Sequence, residues 1–178
     1  MSSATTSQQP ASSARAAAAD TQQHSTGAAS ALIWLRYLIG AVGIFLGFYF
    51  ISGSGPDEAI RWVCLLSVGG VGLVAFLSHV VFAGADARRL SWPVGGFQYE
   101  VGFANLAFAL AAILAVALAW GAKAQAALVL GFALYLLQAG LYFVKRMLSE
   151  EHGIRFLRNV VLFFLFAGLM LYFAIRVF

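Results

Sequence analysis

Of the 178 residues in this chain, 62% are hydrophobic and only 10% are charged, giving a mean hydropathy of +0.87. That balance excludes an ordinary water-soluble domain, and once the apolar runs are set aside too little chain remains for a separate aqueous catalytic domain. The net charge of +4 does not point to nucleic acid, because the basic residues gather at the ends of the apolar runs, where they set orientation and meet anionic lipid.

Residues 1–30 are rich in Ser, Thr, Gln and Ala and carry one basic residue, Arg15, and one acidic residue, Asp20. Such a segment cannot bury enough apolar surface to offset the entropy of ordering, so the sequence predicts a disordered tail over 1–30 and a transmembrane helical domain over 31–178. A signal peptide is not expected, since a long neutral stretch precedes the first apolar run and that run is long enough to span. One arginine is thin support for an organellar transit peptide, and Ser2 excludes N-myristoylation.

Five uncharged windows follow: Tyr37 to Pro56, Trp62 to Ala85, Val101 to Ala122, Ala124 to Val144 and Asn159 to Ile175. A hydrocarbon core of about 30 Å takes roughly 20 helical residues rising about 1.5 Å each, and the windows fall in or near that length. The predicted fold class is therefore all-α, a polytopic membrane bundle of five transmembrane helices. Trp34, Trp62, Trp92 and Trp120 stand at or near the predicted ends, where indole rings prefer the headgroup region. With the tail cytoplasmic, Arg88, Arg89, Lys145, Arg146, Arg155 and Arg158 are cytoplasmic too, against Arg61, Lys123 and Arg176 outside. This bias favours an N-in, C-out protein of the cell's inner (plasma) membrane.

In the first span Arg36, Gly40, Gly43 and Gly47 fall at i, i+4, i+7 and i+11 and line one helix face. Gly43 and Gly47 form a GxxxG pair, a spacing that lets another backbone approach closely. The stripe is expected to pack within the chain, or else to hold a membrane-protein partner or a second copy through Gly40, Gly43 and Gly47. Arg36 lies on that stripe inside the membrane edge, either snorkelling to the surface or paired internally.

The second span carries Cys64, the only cysteine, which cannot form an internal disulfide and is expected to be a small packing residue. Near its end lies His79, the one histidine at membrane depth, with Gly72 and Ala75 on its face. An intramembrane ionisable group is either a hydrogen-bonded structural residue or a functional one. Haem wants two axial histidines on facing helices, whereas His24 falls in the tail and His152 in a connection. A metal site from His79, Glu100 and His152 rests on residue types alone, and the sequence identifies no cofactor.

The stretch SWPVGGFQYEVGFANLAFAL, Ser91 to Leu110, joins the second connection to the third span. Trp92-Pro93 and Gly95-Gly96 predict a tight turn, with a helix starting near Gln98 and Glu100 in its first turn, where a carboxylate interacts favourably with the free amides. Asn105 lies deeper, with Ala109 and Ala112 on its face, a groove in which an amide can bond to a neighbouring helix, and Gln98 shares that face. In the fourth span Tyr135, Gln138 and Tyr142 recur at i, i+3 and i+7. Glu151 and Arg155, at i and i+4 in the fourth connection, are expected to support an extension of the last helix.

Together with FLSHVVF, Phe76 to Phe82, this stretch resembles a family of small, uncharacterised bacterial integral-membrane proteins. That family is marked by a histidine ending one helix, a Gly-Trp-Pro turn and the run FQ-x-EVGFANLA. Phe97, Gln98, Glu100 and Val101 to Ala107 match the run, and Trp92, Pro93 and Gly95 match the turn. The resemblance covers roughly residues 60 to 145. The chain departs from it at Ser91 and Gly96, and Leu141 follows Gly140 where the family pattern places a second histidine. It implies a membrane class and no reaction. The bundle is also loosely similar to DoxX-like membrane proteins, through Glu100 and Gly102, which implies a quinone-linked oxidoreductase subunit as the alternative function.

Under the N-in orientation Arg36, His79, Gln98, Glu100, Asn105 and Gln138 all fall in the cytoplasmic half of the bundle. The outer half is almost wholly apolar, with Tyr49, Cys64 and Ser67 as exceptions. These six are the candidate ligand-binding residues, and the expected function is non-enzymatic: a small ligand bound or moved, or a subunit held in a membrane complex, through a cytoplasmic-side polar pocket. The alternative expectation is a hydrogen-bond network that only holds the bundle together.

Overall fold

The computed structural model describes the backbone over residues 9–90, 95–149 and 157–178, and side chains over 27–88, 95–149 and 157–178. The backbone of 9–30, within the tail expected to be disordered, is part of the first helix, whereas residues 1–8 and the side chains of 9–26 lie outside that set. So do the Trp92-Pro93 turn, His152, and the Glu151 and Arg155 pair.

Among the described residues every regular element is a helix. They are α1 (Gln9–Gly53), α2 (Pro56–Val81), the short α3 (Ala83–Leu90), α4 (Gly96–Ala117), α5 (Ala122–Ser149) and α6 (Leu157–Ile175). Five segments are long and apolar enough to cross a membrane: Gly27–Gly53 of α1, then α2, α4, α5 and α6. The chain thus has the architecture of a multi-pass membrane protein, and helices are what hydrocarbon demands, because every backbone N–H and C=O must find its partner within the segment.

The connections carry the breaks the sequence encodes. Gly55 adopts φ +93°, a left-handed conformation that favours glycine, and Pro56 then opens α2 with Asp57 and Glu58 in its first turn. Glu58 accepts from Trp62 Nε1 at 3.0 Å and lies 3.6 Å from Arg61, while Trp62 stacks on Phe50 of α1 with ring centroids 5.8 Å apart. At the other connection on this side, Ala119 and Gly121 take positive φ between α4 and α5.

The second span is the hub. Of its most apolar window 61% is buried, against 22% to 33% for the other four spans, because α1, α4, α5 and α6 all pack on it. Its backbone is wound wider than a regular helix over Val63–Gly70 and Leu77–Val81, as when Phe82 N–H donates to Leu77 C=O five residues back at 3.0 Å. Such wide turns are rare and often mark functional sites.

Small residues let the neighbours approach it. On α4 the buried set is Gln98, Gly102, Asn105, Ala109, Ala112 and Ala115, a seam with coiled-coil spacing. The glycine stripe of α1 is consumed in the same way: a Cβ on Gly40 would stand 3.0 Å from the Phe166 ring of α6, and one on Gly43 would stand 3.1 Å from the Ser67 backbone nitrogen of α2. On Gly47 it would meet Val63 at 2.7 Å and Phe173 at 2.8 Å. All three glycines are buried within the chain, packed against α2 and α6.

The half of the bundle away from Arg36 is the packed core. Ile60, Val63 and Val68 of α2 interlock there with Phe132 of α5 and Met170 and Phe173 of α6, all essentially inaccessible. Cys64 is buried in this layer, as expected of a packing residue. Outside, Leu38, Phe45, Phe103, Leu141 and Leu165 are among the exposed large apolar side chains, as suits contact with lipid tails.

Because the Gly43 position is closed by backbone as well as side chains, Gly43→Val should cost about 1–3 kcal/mol through overpacking. Gly53→Ala, where a Cβ meets nothing within 4 Å, should leave stability unchanged. Thermal unfolding of both variants in the same detergent checks this, and equal melting temperatures would refute the close approach.

Candidate functional site

Above the packed layer the five spans part around a cavity of about 520 Å³. Its polar lining comes from Arg36 and Tyr37 of α1, His79 of α2, Asn105 of α4, Tyr135 of α5 and Asn159 of α6. The rest is apolar, dominated by Phe132, Phe143, Phe163 and Phe166, with Ile44 and Leu169 toward the core. Few polar groups in an apolar shell is the usual make-up of a small-molecule site.

Tight approach of α4 and α2 sets one wall. A Cβ on Gly102 would stand 2.5 Å from Val80 Cγ2 and 3.2 Å from His79 Cβ, so glycine here lets α2 bring His79 close against α4. His79 Nδ1 in turn lies 2.8 Å from Asp86 Oδ2, with both residues buried. Asp86 reaches that position because the chain turns at Phe82 (φ −107°, ψ 28°) and α3 packs into the bundle, with Ala83, Ala85 and Ala87 all buried. The contact sets the Nδ1 edge of the ring toward the carboxylate, while His79 also lines the cavity.

Asn105 donates from Nδ2 to Val101 C=O at 2.7 Å and to the Tyr135 hydroxyl at 3.0 Å, linking α4 to α5. The Tyr135 ring is held by Phe108 and Phe132, at centroid distances of 5.9 and 5.8 Å. Arg36 is half-buried, its guanidinium 5.9 Å from the Tyr37 ring centre.

Three of the six sequence candidates, Arg36, His79 and Asn105, therefore meet in one cavity. Gln98 is buried but acts elsewhere, donating from Nε2 to Ala83 C=O at 2.9 Å and so tying α3 to α4. Glu100 and Gln138 are exposed and line nothing in the cavity. Two residues beyond Gln98, Glu100 points about 200° around the helix, away from α2. On α5 the cavity face runs through Phe132, Tyr135, Leu136, Ala139 and Phe143, so the spacing that grouped Gln138 with Tyr135 follows the edge of that face and not its centre.

Sequence reasoning passed over Asp86, Tyr37 and Asn159. Asp86 stands seven residues after His79, a same-face spacing in an unbroken helix, but it was hidden by its place just past an apolar window, among connection residues. Asn159 opens the last window and reads there as a boundary. Among the described residues no three of His, Cys, Asp and Glu come together as a metal site, and Glu100 faces away from His79.

A family model described as a family of unknown function (DUF6790) matches residues 53–175, taking in α2 to α6 and so the last helix, which lay outside the resemblance read in the sequence. No curated protein and no solved structure matches the chain.

Because the His79–Asp86 contact is buried, Asp86→Asn should lower stability by about 1–3 kcal/mol, the range for disturbing a buried polar pair. In a double-mutant cycle with His79→Gln the two effects should be non-additive by about 1 kcal/mol or more, read from unfolding in detergent. Simple additivity would show that the two side chains do not interact.

Proposed function

Since the chain belongs to this family of unknown function, we propose that its cavity is a binding site for a small, largely apolar ligand that enters from the bilayer. The observation that carries this reading is the pair Phe45 and Leu165. Both line the cavity, and both are well exposed, at 65% and 57%. They stand on α1 and α6, which pack together lower down through Gly47, Phe48, Tyr172 and Phe173, so the lining between these helices is continuous with the lipid-facing surface.

Arg36, His79 and Asn105 are the contacting residues in this proposal, joined by Tyr135 and Asn159. Gln98 supports the wall through α3. Glu100 and Gln138 lie outside the cavity and would serve a partner or the headgroup layer. With the N-terminus cytoplasmic, the opening lies in the cytoplasmic leaflet of the plasma membrane. Movement of the ligand between leaflet and cytoplasm, or its delivery to a membrane complex, would use the same opening. A second reading, a quinone-linked oxidoreductase subunit, is favoured by His79 standing beside an apolar cleft that reaches lipid. Its other expected element, Glu100, is turned away.

The test uses a diazirine-bearing long-chain alcohol in phosphatidylcholine nanodiscs. Photolabelling should concentrate on α1 near Phe45 and α6 near Leu165 and Phe166. Ala41→Trp, at an exposed lining position, should reduce that labelling severalfold without changing the melting temperature. Labelling spread evenly over lipid-facing surfaces and indifferent to Ala41→Trp would refute the site. Protection by a short-chain benzoquinone at micromolar concentration, absent in His79→Ala, would favour the second reading.

A further inference from the structure

We propose that two copies of this chain pair through the outward face of α5, around a hydrogen bond between their Gln138 side chains. On that helix Ala127, Gly131, Leu134, Gln138 and Leu141 follow one another at alternating steps of four and three. That is the a/d spacing of a left-handed coiled coil, with leucine at two consecutive d positions and the glutamine at the a position between them. None of these residues is buried: Leu134 and Leu141 are 47% and 59% exposed, Ala127 and Gln138 are exposed, and Gly131 is half-buried. The opposite face of the helix, through Val129, Phe132, Leu136 and Phe143, is the one that packs into the bundle.

Gln138 indicates what covers this stripe. From Lys123 to Lys145 the helix climbs about 33 Å at 1.5 Å per residue, close to one hydrocarbon thickness. Gln138 lies about 10 Å inside Lys145 on that scale, too deep for its short side chain to reach water, and the connection beyond Ser149 begins about 16 Å away along the helix. It does not line the cavity, and among the described residues it has no hydrogen-bond partner. An amide facing hydrocarbon forgoes hydrogen bonds that only another protein surface at the same depth can restore. A second copy is such a surface. All copies insert the same way round, so a two-fold axis along the membrane normal brings Gln138 of each to one level, and an amide, being donor and acceptor, complements itself. Ala127 and Gly131, small residues four apart, let the two backbones close together further along the seam. Lys145, the next position on the stripe, ends the seam at the headgroup layer, where its long chain bends away from its counterpart. None of these residues lines the cavity, so pairing here is independent of what the cavity binds.

Single-molecule photobleaching of the full chain, labelled at its N-terminus and reconstituted into phosphatidylcholine vesicles over a range of dilutions, reads the pairing. Two-step bleaching should exceed random co-occupancy. Gln138→Leu should weaken association by roughly threefold to thirtyfold, the worth of a side-chain hydrogen bond between membrane helices, and Gln138→Asn should keep part of it. Because the side chain is exposed, neither variant should change the melting temperature in detergent. Copper-catalysed oxidation should link Leu134→Cys and Leu141→Cys into dimers, and should leave Leu110→Cys on α4 and Leu38→Cys on α1, which are equally open to lipid, as monomers. The native Cys64 is buried and stays in place throughout. Single-step bleaching at every dilution, cross-linking at Leu110 or Leu38 in preference to α5, or association indifferent to Gln138→Leu would overturn the proposal.

Discussion

Hydrocarbon supplies no hydrogen-bond partner, and this shapes every level of the structure. Backbone groups are satisfied inside helices, and polar side chains at depth must find one another or a cavity. The bundle answers with α2 as a common partner for four other spans, approached over glycine and alanine so that backbones come close where there is no hydrophobic drive between helices. Ser67 illustrates the economy of the arrangement: its hydroxyl lies 3.4 Å from Gly40 C=O of α1, just where Gly43 lets the two helices meet.

That packing is uneven along the membrane axis. One half is closed by interlocked side chains such as Phe132, Met170 and Phe173, and the other opens between α1 and α6 into the cavity. The same glycine stripe is responsible for both. Gly47 draws α1 onto Phe173 and Val63, while at Gly40 the nearest atoms of α6 belong to the ring of Phe166, which forms part of the cavity wall. A tightly packed floor thus lies beneath a mouth that holds a few polar groups.

The His79–Asp86 pair shows how a short amphipathic helix contributes to an intramembrane site. The carboxylate enters from α3, tucked back beneath the end of α2 and fastened to α4 by Gln98. Its burial costs desolvation that the histidine offsets, and removing one partner leaves the other exposed to that cost. Asp86 thus stands against the Nδ1 edge of His79 without itself lining the cavity.

Five spans and the identity of the packing glycines were legible in the sequence alone, because bilayer thickness sets a length and small residues at helical spacing set a face. The ends of the spans were not, since the windows Tyr37 to Pro56 and Trp62 to Ala85 ran past the turns at Gly55 and Phe82. The polar half of the bundle was legible too, since alternating helices bring Arg36, His79, Asn105 and the Tyr135 face to one side. What only the tertiary structure decided is which of those groups share a space. Helical periodicity gives relative angles on one helix but not the direction of the bundle centre, so Glu100 and Gln138 could not be told from Asn105 and Tyr135 until α2 and α6 were in place. Asp86 was invisible for the complementary reason: its partner lies across a chain turn, and a turn's direction is set by what α3 packs against and not by any local pattern.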